Sequence, residues 1–466
     1  MIPGALMPVD PERITKLNKA AEKPDREYVL YWAQMNRRVD ANHGLLYAAE
    51  LANRHSLPLV FYEGLTCAYK YANDRLHTFI LEAVPETARR LAKAGIGYVF
   101  YARKTKKSRN DALYVLASRA AAVVTDDYPV FIARAHNQRV PQKIDVAYYV
   151  VDSSCIVPMN EIPQRQYGAY TIRPKINRLL LKYLVPPDRL RVKQPFRGAI
   201  PDFHTEVTEK NIARLVGACE IDHSIAPVHR TRGGSLEAKR RLIHFLKKDL
   251  KRYAGSRNEP TAHATSGVSP YLHFGQISSL EIALAVKEYA GRHKLMAHEY
   301  LEELIVRQEL AFNYARHVED PGNLNNLPDW CQKNMRKHLK DKRDPQYSRH
   351  RLEHAKSYDE LWNATQKEML VTGQIHGYYR MYWGKKIIEW ARTYQEAADF
   401  MIDIHGRYAL DGRDPNTYAN VLWCFGLHDR PWPERKIFGT MRYMSLEGMR
   451  RKTDAQTYID EIRELE

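Results

Sequence analysis

The 466-residue chain is poor in cysteine. Its five thiols, Cys67, Cys155, Cys219, Cys331 and Cys424, are scattered and odd in number, and no two have CxxC spacing. That argues against a disulfide framework and a thiolate zinc site and points to a reducing, intracellular compartment. No stretch of about eighteen consecutive apolar residues occurs, so no membrane-spanning helix is expected. The opening MIPGALMPVDPERITKLNKAAEKPDRE lacks a basic start followed by an apolar run and does not read as a secretory leader. Its first twenty or so residues are expected to be loosely ordered or to lie over the surface. GxGxxG is absent, so no dinucleotide fingerprint is present. Internal repeats and low-complexity tracts are also missing.

Positive charge is in excess. Lys and Arg number 72 against 55 Asp and Glu, a formal net charge of +17. A polyanionic partner fits this balance, nucleic acid before membrane, although many basic proteins bind neither. The hydrophobic fraction is ordinary for a globular protein, and the length suits two or three domains.

The first part alternates short apolar runs with helical patterns. YVLYW (28–32), LPLVFYE (57–63), GIGYVFYAR (95–103), AAVVTDD (121–127) and DVAYYVVD (145–152) read as strands. Helical spacing separates them, which implies a Rossmann-like α/β domain with a parallel sheet covered on both faces. Ligands of such sheets sit beyond the carboxyl ends of the strands. Residues from about 158 are rich in Pro, Arg and Gln and read as a connector. From about 235 the patterns are helical to the end, and Ser235 is the expected N-cap of the first of these helices. The expected division is a flexible segment over 1–25, an α/β domain over 26–157, a connector over 158–234 and an all-α domain over 235–466.

The most informative segment lies near the carboxyl end. Trp362, Trp383 and Trp390 surround HGYYRMY (376–382), followed by DGRDPN (411–416) and GTMRYM (439–444). Trp383 and Trp390 are seven apart and so share a helix face, two turns apart. Aromatic stripes at helical period usually pack cores, so spacing alone favours a core stripe and a surface turn. TSGVSP (265–270) offers three hydroxyls near an expected helix start, which reads as an N-cap and turn or as a phosphate site.

Taken together, these blocks resemble the photolyase/cryptochrome family, specifically class II cyclobutane-dimer DNA photolyases. The resemblance rests on WNATQKEMLVTGQIHGYYRMYWGKKIIEW (362–390), DGRDPNTY (411–418), HDRPWPERKIFGTMRYMSLEG (428–448), TSGVSPYLHFGQIS (265–278) and LEELIVRQELAFNYARH (301–317). It extends from about Tyr28 to the end. It implies an α/β antenna-type domain, a helical domain binding FAD and DNA, and light-driven repair of pyrimidine dimers without a metal. A second antenna chromophore, deazaflavin or folate, is left open.

The resemblance also assigns residues. Tyr253, Thr265, Ser266, Gly267, Val268 and Ser269 fall in cofactor-binding segments. Arg380 and Asp411 match an arginine–aspartate pair beside the flavin ring, which could equally be a structural ion pair. Trp383, Trp362 and Trp390 match an electron-transfer series, with Trp383 nearest the flavin, Trp390 nearest solvent and Tyr382 assisting. Glu309, Met381 and Trp423 match residues that meet the dimer. Arg257 and Asn258 are expected at the lesion strand, and Phe312 at the opposite wall. A flipped dimer needs such an apolar cavity with a few polar groups. Glu309, Met381 and Phe312 read equally as routine helix packing.

Arg430, Arg435, Lys436, Arg442, Arg450, Arg451 and Lys452 crowd the last forty residues, with Trp432 and Tyr443 among them. Cations interleaved with aromatics suit a DNA backbone beside an opened duplex, though a solvated face is the default for such a run. His405 departs from the pattern. It stands six residues before Asp411, where class II relatives carry an asparagine near flavin N5. The departure leaves open a cryptochrome-like photoreceptor with little repair. A flavin-free nucleic-acid-binding module is a further alternative. The expected partner is double-stranded DNA containing pyrimidine dimers, met by a cytoplasmic monomer, nucleoid-associated if the source is prokaryotic.

Overall fold

A computed structural model describes residues 9–465. Its first half is a six-stranded sheet: β1 (Ile14–Lys16), β2 (Tyr28–Ala33), β3 (Leu59–Thr66), β4 (Gly97–Arg103), β5 (Ala120–Asp126) and β6 (Ala147–Val151), in the order β1-β6-β5-β2-β3-β4. Every neighbouring pair is parallel except β1 with β6. All of β2 and β5 is buried, as expected for near-continuous apolar strands covered by helices on both faces. The first two crossover helices, His43–Arg54 and Asp74–Lys93, start on side-chain caps. Asn42 Oδ1 accepts from Leu45 N at 3.1 Å and Asn73 Oδ1 from Leu76 N at 3.0 Å.

Three expectations need correction. The amino-terminal segment is not loose over residues 9–25. β1 pairs with β6, and buried Arg13 donates to the carbonyls of Asp152, Cys155 and Ile156 at 3.1, 2.9 and 2.6 Å. Residues 1–8 of that expectation lie outside the described residues. The connector contains a fifteen-residue helix, Ala169–Tyr183, with Pro174 inside it. Its inward residues Ile172, Ile176 and Tyr183 follow helical spacing, and this buried face holds the helix together although Pro174 removes a ladder bond and crowds the carbonyl four residues before it. Ser235 is not an N-cap. Its hydroxyl donates to Gln276 O at 2.6 Å, while Glu86 Oε2 accepts from Leu236 N at 3.1 Å and Gln276 Oε1 from Gly234 N at 2.8 Å.

From Ser235 onward the chain is helical. One apolar core runs from Val29 and Phe61 in the sheet to Leu280 and Ile305 in the helices. A second core surrounds Trp362, Trp383 and Trp390. All five cysteines are free and buried. Among the described residues, no helix is long and apolar enough to cross a membrane.

Candidate cofactor and nucleic-acid site

Two adjoining chambers open between these cores, of about 290 and 600 Å³. Tyr253, Glu303, Arg380, Asn416, Thr417 and Asn420 line both and mark their junction.

The first chamber takes Ser266, Val268 and Ser269 from the TSGVSP segment, while Thr265 lines the second. Gly267 supplies a positive φ of 63° in the turn. The helix that follows, Ser269–His273, has five residues and no side-chain cap. The expected contribution from a helix start is therefore slight, and the segment offers hydroxyls instead. Ser266 Oγ accepts from Tyr300 OH at 3.1 Å. The α/β half also contributes, through Asn36, Arg38, Ser153 and Ser154. Sequence patterning did not single these out.

The helix Gly377–Trp390 carries Arg380, Met381 and Trp383 to the second chamber. Arg380 Nη2 lies 3.0 Å from Asp411 Oδ2. Burial raises the Asp411 pKa, yet Arg380 and a bond from Ser269 outweigh it and hold the carboxyl below its ordinary range. His405, 2% exposed, donates from Nδ1 to Met401 O at 2.8 Å. Burial first, then the Arg380 cation, lowers its pKa to about 4, so the ring is neutral. Its Nε2 and Arg380 Nε are buried without partners. Unpaired buried polar atoms are rare in native proteins. Two of them on residues lining the second chamber fit a polar ring bound there. Gly412 allows DGRD to close over this wall, because a Cβ there would lie 2.1 Å from His405 O.

The tryptophans form one connected set. Trp383 is edge-on to His405, and its Nε1 donates to Gln366 Oε1 at 2.8 Å. Trp362 Nε1 donates to Trp383 O at 3.0 Å, and the rings of Trp362 and Trp390 lie 5.3 Å apart. Trp390 was expected nearest solvent, but it is fully buried. Tyr358 packs edge-on to it at 5.6 Å and is 56% exposed, so the set meets solvent through Tyr358. Tyr382 donates to Asp359, and burial, then that carboxylate, holds its phenol proton far more tightly than usual.

Substrate-side expectations divide. Met381, Trp423, Arg257 and Asn258 all line the second chamber. Glu309 does not face either chamber. Its Oε1 accepts from the backbone N–H of Ile156 and Val157 at 2.8 and 3.0 Å, and burial raises its pKa to about 8. Phe312 is in the first chamber, edge-on to Tyr128, not on the wall opposite Trp423. The glutamate at the chambers is Glu303, paired with Arg257 at 2.8 Å. The difference has a structural cause. Glu302–Arg307 is a π-helical segment between the α-helical His298–Leu301 and Gln308–Arg316. Such insertions change which residues share a face and recur at functional sites. No uniform 3.6-residue period could have shown it.

Outside the second chamber, two cations lie against the Trp432 ring, Arg430 at 5.3 Å and Arg442 at 4.5 Å, and Arg435 lies over Tyr443 at 5.1 Å. Arg442 also pairs with Asp429 and lines the chamber. Arg430, Arg435, Lys436, Arg450, Arg451 and Lys452 are exposed. His428, which lines the second chamber, donates from Nδ1 to Tyr167 O at 3.1 Å, and Tyr167 and Tyr170 are both exposed. The sequence reading gave neither tyrosine a role, because both lie in the supposed connector.

Residues 29–194 match the DNA photolyase family model. The deoxyribodipyrimidine photo-lyase of Methanothermobacter thermautotrophicus is 38% identical over 462 residues, covering 97% of this chain and 98% of that protein. Among solved structures, a Synechocystis cryptochrome superposes with a TM-score of 0.70 at 16% identity, covering 93% of this chain and 88% of that one. An archaeal photolyase from Sulfolobus tokodaii, solved with two FAD molecules, superposes with a TM-score of 0.61 at 15% identity, covering 88% and 89%.

Proposed function

The chain belongs to the DNA photolyase family, and on that premise we propose that it is a light-dependent DNA repair enzyme, a deoxyribodipyrimidine photo-lyase, that splits cyclobutane pyrimidine dimers with FAD. The carrying observation is the junction of the two chambers, where Arg380, paired to Asp411, shares a wall with unpaired His405 Nε2. The full-length relative from Methanothermobacter, named for that activity, supports the same reading.

When bound, reduced FAD supplies an electron on illumination and recovers it after the dimer opens, so the reaction is redox-neutral. The protein residues bind and tune. Arg380 places a cation beside the ring, and Asp411 orients that cation. Met381 and Trp423 offer an apolar wall to a flipped dimer, and Arg257, Asn258 and Glu303 offer polar groups for its base edges. Exposed Arg430 and Arg435, with Trp432, hold the duplex at the opening. Trp383, Trp362 and Trp390 connect the chamber wall to Tyr358 at the surface. The long motifs at 362–390 and 411–418 favour the class II branch.

One observation favours a second reading, a flavin photoreceptor with little repair: His405 replaces an amide with a ring that cannot flip donor for acceptor without moving its proton. Repair of a defined thymine dimer, with and without blue light, separates the two. Repair in light only supports the enzyme, and flavin-loaded protein without repair supports the receptor. Protein that stays colourless after incubation with FAD overturns both.

A further inference from the structure

The first chamber has a wall that the electron-transfer reading leaves unused. Loop 34–38 leaves the carboxyl end of β2 and is shaped by Asp126 at the end of β5. Asp126 Oδ2 accepts from the backbone N–H of Gln34, Met35 and Asn36 at 2.9, 2.7 and 2.9 Å. Asn36 is buried, and its Oδ1 accepts from Arg38 Nη1 at 2.6 Å. That bond fixes the amide's orientation. It leaves Nδ2 buried without a partner on a residue that lines the chamber.

Arg38 is also buried. Its other acceptors are the carbonyls of Ala41, Ser153 and Gly275. None of its hydrogen-bond acceptors carries a charge, and the carboxylates of Asp126, Glu281 and Asp40 act on it only through space. An unpaired donor and a cation bonded only to neutral oxygens therefore border a chamber also lined by Ser266 and Ser269. Buried polar groups of this kind call for a counterpart. Gly275 brings the end of the 265–278 segment onto the loop. Its φ is 63°, and a Cβ there would lie 2.0 Å from Met35 O and 2.5 Å from Asn36 Cα.

We propose that Asn36 and Arg38 form an anion subsite for the diphosphate of FAD, so that the α/β domain, and not the helical half alone, holds the cofactor. The proposal rests on the flavin reading above. Asn36 Nδ2 donates to a phosphate oxygen. Arg38 acts through its charge, since its donors are engaged by carbonyls and by Asn36. The position agrees with the general placement of ligands beyond the carboxyl ends of parallel strands.

The test uses the full-length chain freed of cofactor and refilled with FAD or with riboflavin, which has no phosphate. Binding is read by flavin fluorescence in the parent, Asn36→Ala and Asn36→Asp. The aspartate keeps the acceptor that Arg38 needs, so the loop is retained while the donor becomes a carboxylate. FAD affinity should fall about tenfold in Asn36→Ala and further in Asn36→Asp, with riboflavin affinity unchanged within about twofold. Equal weakening of both flavins, or unchanged FAD affinity, overturns the subsite. A parent that takes up neither flavin defeats the flavin reading instead. Inorganic diphosphate then decides the subsite alone: a rise in Tm for the parent but not for Asn36→Ala supports it, and no rise in the parent overturns it.

Discussion

The imidazole of His405 stands edge-on to the indole of Trp383, with ring centroids 4.9 Å apart and planes at 88°. Met401 O fixes the tautomer from one side, and Gly412 presses on the His405 backbone from another. The residue that departs from the class II pattern is thus held rigidly against the innermost tryptophan of the proposed relay.

Burial and the Arg380 cation put the His405 pKa at about 4, below the ordinary value near 6.5 on which a pH switch would depend. Repair should therefore show no His405 titration between about pH 5.5 and 8, and His405→Asn should share that flat profile. Stability behaves differently. The unfolded chain binds the extra proton between about pH 6.5 and 4, so the folded state weakens as pH falls through that window. Relative to His405→Asn, the parent should lose ~2–3 kcal/mol by about pH 4.5. Urea unfolding of both proteins at neutral and acid pH measures the difference, and parallel losses would show that His405 is not buried neutral.

Trp390→Phe and Trp362→Phe should each slow light-driven reduction of the flavin by an external reductant. Repair by protein already reduced should change little. Tyr358→Phe should slow the same photoreduction, because Trp390 has no solvent exposure of its own. Flash absorption with a soluble reductant checks all three, and a normal rate in the tryptophan variants would mean that electrons take another path.

Arg380→Leu leaves Asp411 buried without its cation. Losing one partner of such a pair costs about 3–5 kcal/mol when burial is complete, and slight exposure of both side chains puts this pair at the lower end. The sign is also definite. In the parent the lowered Asp411 pKa contributes stability above the unfolded carboxyl value, which is lost as pH falls. In Arg380→Leu burial dominates, the pKa rises, and stability should decline as pH rises towards neutral. Tm against pH in both proteins, with flavin retention on gel filtration, reads both effects.

Glu303 and Glu309 should separate cleanly. Glu303→Ala should reduce preference for dimer-containing over undamaged DNA while leaving the unfolding free energy within about 1 kcal/mol of the parent, as for a half-exposed residue. Glu309→Ala should leave the N–H groups of Ile156 and Val157 unpaired and cost about 2 kcal/mol or more. Glu309→Gln keeps an acceptor and should keep repair. A repair loss confined to Glu309→Gln would restore the assignment read from the sequence.

Binding to dimer-containing duplex should weaken steeply with salt, and Arg430→Ala or Arg435→Ala should each reduce the log–log slope by about one. Arg442→Ala should change the slope less, because Asp429 already pairs with it. Trp423→Ala should reduce discrimination for damaged DNA more than overall affinity. Titrations at several salt concentrations on damaged and intact duplexes decide this, and equal loss on both would place Trp423 outside the dimer pocket.

What could be read from the sequence follows from how local each signal is. The five parallel strands were visible because each is a short apolar run between turn residues. β1 was not, because Ile14–Lys16 is three residues of mixed polarity held by Arg13 and β6. Arg380 and Asp411, thirty-one residues apart, were paired through long motifs, which carry more information than spacing. Asn36 went unseen because its neighbours in the chamber come from the distant segment around Ser266. Ser235 is not the N-cap its type suggests, because the acceptor for Leu236 N is Glu86, in another element. The Glu309 role rests on the resemblance, and a motif match puts a residue on a helix without showing which face it takes; past the π-helical turn Glu303 lines the chambers and Glu309 meets the backbone of Ile156.

That turn makes the helix a junction of two registers. Residues 308–316 face the α/β half through Glu309 and the connector through Asn313, which bonds to Gln166 N and Ile162 O. Residues 302–307 present Glu303 to the chambers. An α-helix advances by about 100° per residue, and a π-type turn takes up one extra residue at nearly the same total rotation. Removing one position between Glu303 and Glu309 would therefore let the stretch close as a regular α-helix with both glutamates still on their present faces. The turn holds one residue of spare chain length inside a helix, where a regular helix has none to lose.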